Sequence, residues 1–353
     1  MMERRLQAAA LAALALAAAF STLAPGWGLA ANAVQRSNLK GPAVKGPADT
    51  VPSPHSVQSR SGPLKQAKTS IVEFQTAPFP YRGTPPGSVT PFLNVEQQGR
   101  RGHSTPFGRV YWEDETYSDR HVLLHLPKGF DARRPSIMIV YFHGHGATLE
   151  RDVLNRQEVA AQIANSGVNA VLVAPQLAVD AADSSAGKFW EPGAFGRFVG
   201  EAAEQLAKLH GDRRSVRTFA SIPVVIVAYS GGYLPAAWCA TQGGLKKRLR
   251  GVVLLDALYG ELDKFAAWIE NDRSAFFVSA YLDSTREKNA ELAQILTARN
   301  VGFSTELEKK LGRGNVVIVA GGGEEVKHRD LVTRAWVDRP LADLLKRLTG
   351  FLR

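Results

Sequence analysis

IPVVIVAYSGGYLPAAWC, residues 222–239, reads as strand, sharp turn, helix. The β-branched run Val224–Val227 stops at Ala228-Tyr229-Ser230-Gly231-Gly232, and an apolar helical pattern follows. A serine at the apex of such a turn is forced into a strained backbone conformation, and its hydroxyl is lifted clear of the sheet. The turn closes only if the residues two before and two after the serine are small, and here they are Ala228 and Gly232.

Outward from this stretch, apolar strands alternate with helical patterns. Towards the amino terminus the pattern predicts strands at 109–113, 121–126, 137–142 and 169–174, with helices over 150–165 and 194–210. The first two strands have no helix between them and are predicted to pair as an antiparallel edge. Beyond the serine turn the pattern predicts a helix over 233–241, strands at 251–255, 275–281 and 315–320, and helices over 262–271, 285–298, 330–336 and 341–351. Continuous apolar strands separated by helices imply a mostly parallel eight-stranded sheet covered by helices on both faces.

Four features fall at the carboxyl ends of successive strands, where open α/β sheets bind ligands. Tyr141-Phe142-His143-Gly144-His145-Gly146 ends the third predicted strand, and Ser230 follows the fifth. Asp256 ends the sixth and Asp283 lies just past the seventh. His328 sits in the loop after the eighth, beyond Gly321-Gly322-Gly323. This order resembles the α/β-hydrolase family over residues 109–351. The resemblance implies an α/β-hydrolase fold and a serine hydrolase, esterase- or lipase-like, that needs neither a metal nor an organic cofactor.

The chemistry explains why those residue types belong together. A serine hydroxyl is a weak nucleophile and needs a histidine to take its proton. A buried carboxylate holds that imidazole in the right tautomer. Charge developing on the substrate oxygen needs fixed donors. By resemblance, Ser230 is the nucleophile, His328 the base and Asp256 the orienting acid. Gly231 supplies one oxyanion N–H, and His145 or its neighbour Gly146 supplies the second. Asp283 is the competing acid, although Asp283-Ser284-Thr285 also reads as a helix start. His143 and His145 alone are a weak zinc signal without a further clustered ligand. The glycine run before His328 lacks the Gly-Lys-Ser/Thr ending of a phosphate loop and carries two glutamates.

The segment 178–193 is long enough for a lid or pocket wall. Phe195, Tyr229, Tyr233 and Tyr259 serve either an aromatic pocket or the core. An aromatic pocket would suit an ester with an apolar acyl or aryl group, and an envelope-derived amide or peptide remains an alternative substrate. A catalytically silent envelope-binding module of the same fold is the reading from a different class.

The chain has 353 residues, of which 45% are hydrophobic and 22% charged, with a net charge of +10. Half of that excess, +5, sits in 34–70, where Arg36, Lys40, Lys45, Arg60, Lys65 and Lys68 oppose Asp49, and +4 is spread over residues 71–353. The folded part therefore gives no reason to propose nucleic acid. Residues 1–33 read as a signal peptide: Arg4-Arg5, an apolar run over 6–20 short of the ~20 residues of a span, then Ala31-Asn32-Ala33 as a small-x-small cleavage site. The arginine pair also occurs in twin-arginine signals, which Glu3 and Leu6-Gln7 fit poorly. A periplasmic or secreted protein follows. Residues 34–70 are predicted to be a disordered linker, with weak contact to an anionic envelope surface as its one suggested partner. Residues 71–108 are predicted to be an irregular wrap over a domain spanning 71–353. The single cysteine, Cys239, excludes an intrachain disulfide and is read as a small buried residue.

Overall fold

Eight strands form one sheet in a computed structural model that describes residues 61–105 and 108–353. The predicted signal peptide and most of the predicted linker lie outside the described residues.

The strands are β1 Lys68–Glu73, β2 Val95–Gln97, β3 Arg100–Ser104, β4 Val110–Trp112, β5 His121–Leu126, β6 Ile137–Phe142, β7 Ala170–Pro175, β8 Val224–Tyr229, β9 Leu249–Leu255, β10 Phe276–Tyr281 and β11 Val316–Ala320. The α-helices are α1 Glu113–Thr116, α2 Val159–Asn165, α3 Ala194–His210, α4 Val216–Ser221, α5 Tyr233–Gln242, α6 Leu262–Asn271, α7 Asp283–Ala298 and α8 Pro340–Lys346. The large sheet runs β1-β5-β7-β6-β8-β9-β10-β11. Strand β5 is antiparallel to both neighbours, and the six strands from β7 to β11 are parallel.

The period-2 alternation of the central strands sorts the core into two layers. Met138, Val140, Phe142, Val224, Ile226 and Ala228 face the layer that holds α3, α5, α6 and α7. Ile139, Tyr141, Val225, Val227 and Tyr229 face the layer that holds α2 and α8. Helices thus cover both faces, which is why the strands read as unbroken apolar runs rather than alternating ones. Cys239 is buried in α5 beside Ala236 and Ala237, and burial pushes its thiol up.

The edge differs from the sequence expectation. β4 does not pair with β5; it joins β2 and β3 in a separate three-stranded antiparallel sheet. The partner of β5 is β1, in register from Lys68↔Leu126 to Glu73↔His121. The linker boundary at residue 70 is therefore corrected: the chain enters the sheet at Lys68. Along β1 exposed and half-buried residues alternate, the pattern of a one-sided edge strand, and its Lys, Thr and Ser residues disguise it as linker. Residues 71–108 likewise hold two short strands, while Phe74, Phe79, Tyr81 and Phe92 sink fully into the core.

Two helical readings also change. Residues 149–156 form a π-helical turn, and α2 starts anew after Glu158, whose φ of 50° breaks the helix. At the carboxyl end only His328–Asp330 and α8 are helical, with Pro340 at the helix start fixing where α8 begins.

Candidate active site

Ser230 sits where β8 ends and a single 3₁₀ turn, Ser230–Gly232, leads into α5. Its φ is 53°, a left-handed conformation that costs a non-glycine residue about 1–3 kcal/mol. The surroundings enforce it. A Cβ on Gly232 would stand 2.5 Å from the Phe142 carbonyl oxygen, so the chain can turn this tightly only with glycine there. Ser230 itself is buried.

The structure brings Ser230, His328 and Asp256 into one hydrogen-bonded chain. His328 Nε2 lies 2.9 Å from Ser230 Oγ, and His328 Nδ1 lies 2.5 Å from Asp256 Oδ2. With Nδ1 donating to the carboxylate, Nε2 is left to accept the serine proton. Asp256 is fully buried at the end of β9. Four donors converge on it: the Leu282 N–H at 3.0 Å and the Thr285 hydroxyl at 2.5 Å on Oδ1, with His328 and the Ser284 hydroxyl on Oδ2. Burial alone would push this carboxyl up; the hydrogen bonds outweigh it and hold its pKa below the usual carboxylate value. Asp283 is not part of this chain. It is the first residue of α7, its side chain is 87% exposed, and it pairs with Arg286 one turn on.

The loop after β6 lies against the serine. A Cβ on Gly144 would be 2.7 Å from Ser230 Cβ and 3.2 Å from Oγ. Gly146 gives its N–H to the Ala181 carbonyl at 2.8 Å, which withdraws it as an oxyanion donor. The His145 N–H has no acceptor among the described residues. Gly231 occupies the first turn after the strand, where N–H groups have no preceding helical carbonyl. Its α-carbon is covered by the His145 imidazole, whose Nε2 lies 2.7 Å from Ser184 Oγ.

His143 braces this loop from beneath. Its Nε2 accepts from the Leu177 N–H at 2.9 Å and from Gln176 at 3.0 Å, and its Nδ1 lies 2.8 Å from the Gly144 carbonyl. Burial lowers its pKa to about 4, so the ring is neutral. Both nitrogens of His143 and the Nε2 of His145 are thus taken by protein partners. The described residues contain no group of three or more His, Cys, Asp or Glu that could hold a metal.

Sequence reasoning missed what holds His328. Its imidazole stacks on Tyr229, with centroids 5.1 Å apart and planes at 23°, and meets the edge of Tyr259 at 6.3 Å. The Tyr229 hydroxyl donates to the His328 carbonyl at 3.0 Å. Tyr229 is therefore a support for the histidine rather than a pocket wall. Phe195 is core, packed on Phe142, Phe189 and Phe198. Tyr233 packs against Tyr259, their rings 6.0 Å apart. Segment 178–193 is pinned rather than free: Phe189 and Trp190 are buried, the Ala182 N–H donates to Tyr111, and Asp183 accepts from Tyr117 at 2.8 Å. A cavity of about 380 Å³ adjoins His328 on the α7 side, with Tyr281, Ser284, Arg286 and Lys327 in its wall.

No protein-family model and no curated protein matches the chain. Among solved structures it is similar to a feruloyl esterase module from Clostridium thermocellum, at 14% identity over 80% of this chain and 98% of that one, with a TM-score of 0.43. It is also similar to an S-formylglutathione hydrolase from Agrobacterium tumefaciens, at 10% identity over 70% of this chain and 94% of that one, with a TM-score of 0.38. A third likeness is to an IroE-like serine hydrolase from Shewanella oneidensis, at 11% identity over 66% and 75% of the two chains, with a TM-score of 0.36. The sheet order, the single antiparallel strand β5 and the serine turn after β8 carry the assignment. This chain has the α/β-hydrolase fold, and its resemblance to that family extends from the sheet to the turn that bears Ser230.

Proposed function

We propose that this chain is an exported serine hydrolase that cleaves carboxylic esters through an acyl-enzyme. The observation that carries the reading is the unbroken chain from Ser230 Oγ through His328 to a buried, ionised Asp256.

In the proposed reaction Ser230 Oγ attacks the ester carbonyl carbon while His328 Nε2 takes the serine proton. The carbonyl oxygen becomes an oxyanion facing the N–H groups of Gly231 and His145. Asp256 stabilises the imidazolium without itself taking the proton. Collapse breaks the bond to the alcohol oxygen, and His328 returns its proton to that leaving group. Water, deprotonated by His328, then attacks the acyl-serine and releases the acid, restoring the Ser230 hydroxyl. Tyr259 meets the edge of His328 and packs with Tyr233, and aromatic surface next to the base suits an ester with an apolar or aryl portion. Export rests on residues 1–33 of the sequence.

A fluorophosphonate probe tests the reading. Stoichiometric labelling of the wild type that vanishes in Ser230→Ala supports it. Folded wild type that stays unlabelled while a control esterase labels would overturn it. A panel of matched esters and amides separates ester cleavage from the amidase alternative.

A further inference from the structure

The opposite end of the sheet holds a second cavity with its own chemistry. Strands β6, β9 and β10 begin there, and a strand of six residues places it roughly 20 Å from the serine turn. The cavity measures about 250 Å³.

Two arginines line it, Arg250 at the start of β9 and Arg313 in the loop before β11. Arg250 is half-buried and Arg313 exposed. Neither has an ion-pair or hydrogen-bond partner among the described residues. Several other arginines of the fold are paired, among them Arg133 with Asp131, Arg299 with Asp263 and Arg347 with Asp343. Asp272, two residues before the lining residue Ser274, is turned onto the N–H and hydroxyl of that serine, at 3.1 and 2.6 Å. Arg250 is partly desolvated without a counter-ion, and two guanidinium groups lining one cavity suit a carboxylate or phosphate.

Ser274 and Thr349 are the other polar side chains of the lining, and the rest of the wall is largely apolar. Phe276, Leu311, Leu348 and Phe351 line the cavity. Three of them, Phe276, Leu311 and Leu348, also bound a smaller void of about 10 Å³ deeper against α8, walled by Val225, Val227 and Leu345. The site is charged at the mouth and apolar towards the core.

We propose that this cavity binds a small anionic amphiphile, its carboxylate between Arg250 and Arg313 and its short hydrocarbon tail against Phe276, Leu311 and Leu348. A cavity of this volume lies just below the range of drug-sized pockets, which sets the tail at medium length. The site is independent of the ester-cleaving reading, since it shares no residue with the serine site.

Calorimetric titration of the full chain with octanoate, octan-1-ol and inorganic phosphate tests it. Octanoate binds at one site, and octanol and phosphate bind at least about tenfold more weakly. Arg250→Gln and Arg313→Gln each weaken octanoate by about tenfold, whereas Arg134→Gln, an exposed arginine just before β6 that does not line the cavity, leaves it unchanged. If Arg250→Gln does not fold, the exposed Arg313 decides the matter alone. No octanoate binding by wild type, binding that both arginine variants leave intact, or phosphate binding as tight as octanoate would each overturn the proposal.

Discussion

Replacing Asp256 by Asn, and separately Asp283 by Asn, distinguishes two carboxylates that the sequence places similarly and the structure does not. The Asp256 carboxylate accepts four hydrogen bonds, two on each oxygen. An amide keeps one accepting oxygen and puts two donors where the other was. If the amide nitrogen faces Leu282 and Thr285, two buried donors lose their acceptor, at about 1–3 kcal/mol each. If it faces His328, Nδ1 must become the acceptor and Nε2 then carries the proton. In that tautomer His328 cannot take the Ser230 proton, and kcat falls by about 10³–10⁴. Either orientation harms the protein, and the second removes the chemistry. Asp283 is exposed and held only by the surface pair with Arg286, so Asp283→Asn leaves both melting temperature and turnover unchanged. The assay is steady-state hydrolysis of p-nitrophenyl acetate, with circular dichroism melts to separate loss of fold from loss of rate. A folded Asp256→Asn with near wild-type kcat, or an inactive Asp283→Asn, would refute the reasoning.

Three further outcomes follow from particular contacts. Tyr229→Phe keeps the stack on His328 but removes the donor to its carbonyl; kcat falls about 5–30-fold with KM within about twofold, equivalent to roughly 1–2 kcal/mol, and an unchanged kcat contradicts the supporting role. Gly144→Ala would drive a methyl group to 2.7 Å from Ser230 Cβ; activity drops at least about 100-fold in a protein that still melts cooperatively, and an active variant shows the loop is not where we place it. Burial lowers His125 and His143 to about 4, below the unfolded value of about 6.5. Between those values the unfolded chain binds protons that the folded chain does not. Stability is therefore full above about pH 6.5 and declines as pH falls towards 4, by about 3 kcal/mol per histidine. Urea midpoints at pH 7, 5.5 and 4 read this directly, and a flat profile contradicts it.

Much of the fold was legible because its central strands are buried on both faces. Val224–Tyr229 and Leu249–Leu255 read as apolar runs, and their order along the chain placed Ser230, Asp256 and His328 at one sheet end. The edge was not legible. Strand β1 has one half-buried face and a linker-like composition, and it pairs with β5 across an intervening sheet of its own. Adjacent strands such as β4 and β5 are the natural guess when nothing local signals a distant partner. The serine count survived because β1 replaced β4 as the first strand of the large sheet. Within the site, sequence order gave the residues but not their supports. Ser284 and Thr285 are hydroxyls at a helix start, and nothing in their neighbourhood says that they turn onto a carboxylate at the end of another strand. Tyr229 was visible as an aromatic beside the serine. Its direction, away from the substrate side and under His328, depends on the pleat of β8 together with the path of a loop about a hundred residues further on.

The account turns on Ser230 carrying the acyl group. Acid-quenching the protein within the first turnovers of p-nitrophenyl acetate hydrolysis, followed by peptide mass spectrometry, observes that intermediate. The account predicts one acetyl group per chain, on the peptide that contains Ser230, accumulating further where His328→Ala slows deacylation more than acylation and absent in Ser230→Ala. Turnover with no acyl group on Ser230 in any variant, or acetylation that persists at the same rate in Ser230→Ala, would contradict it.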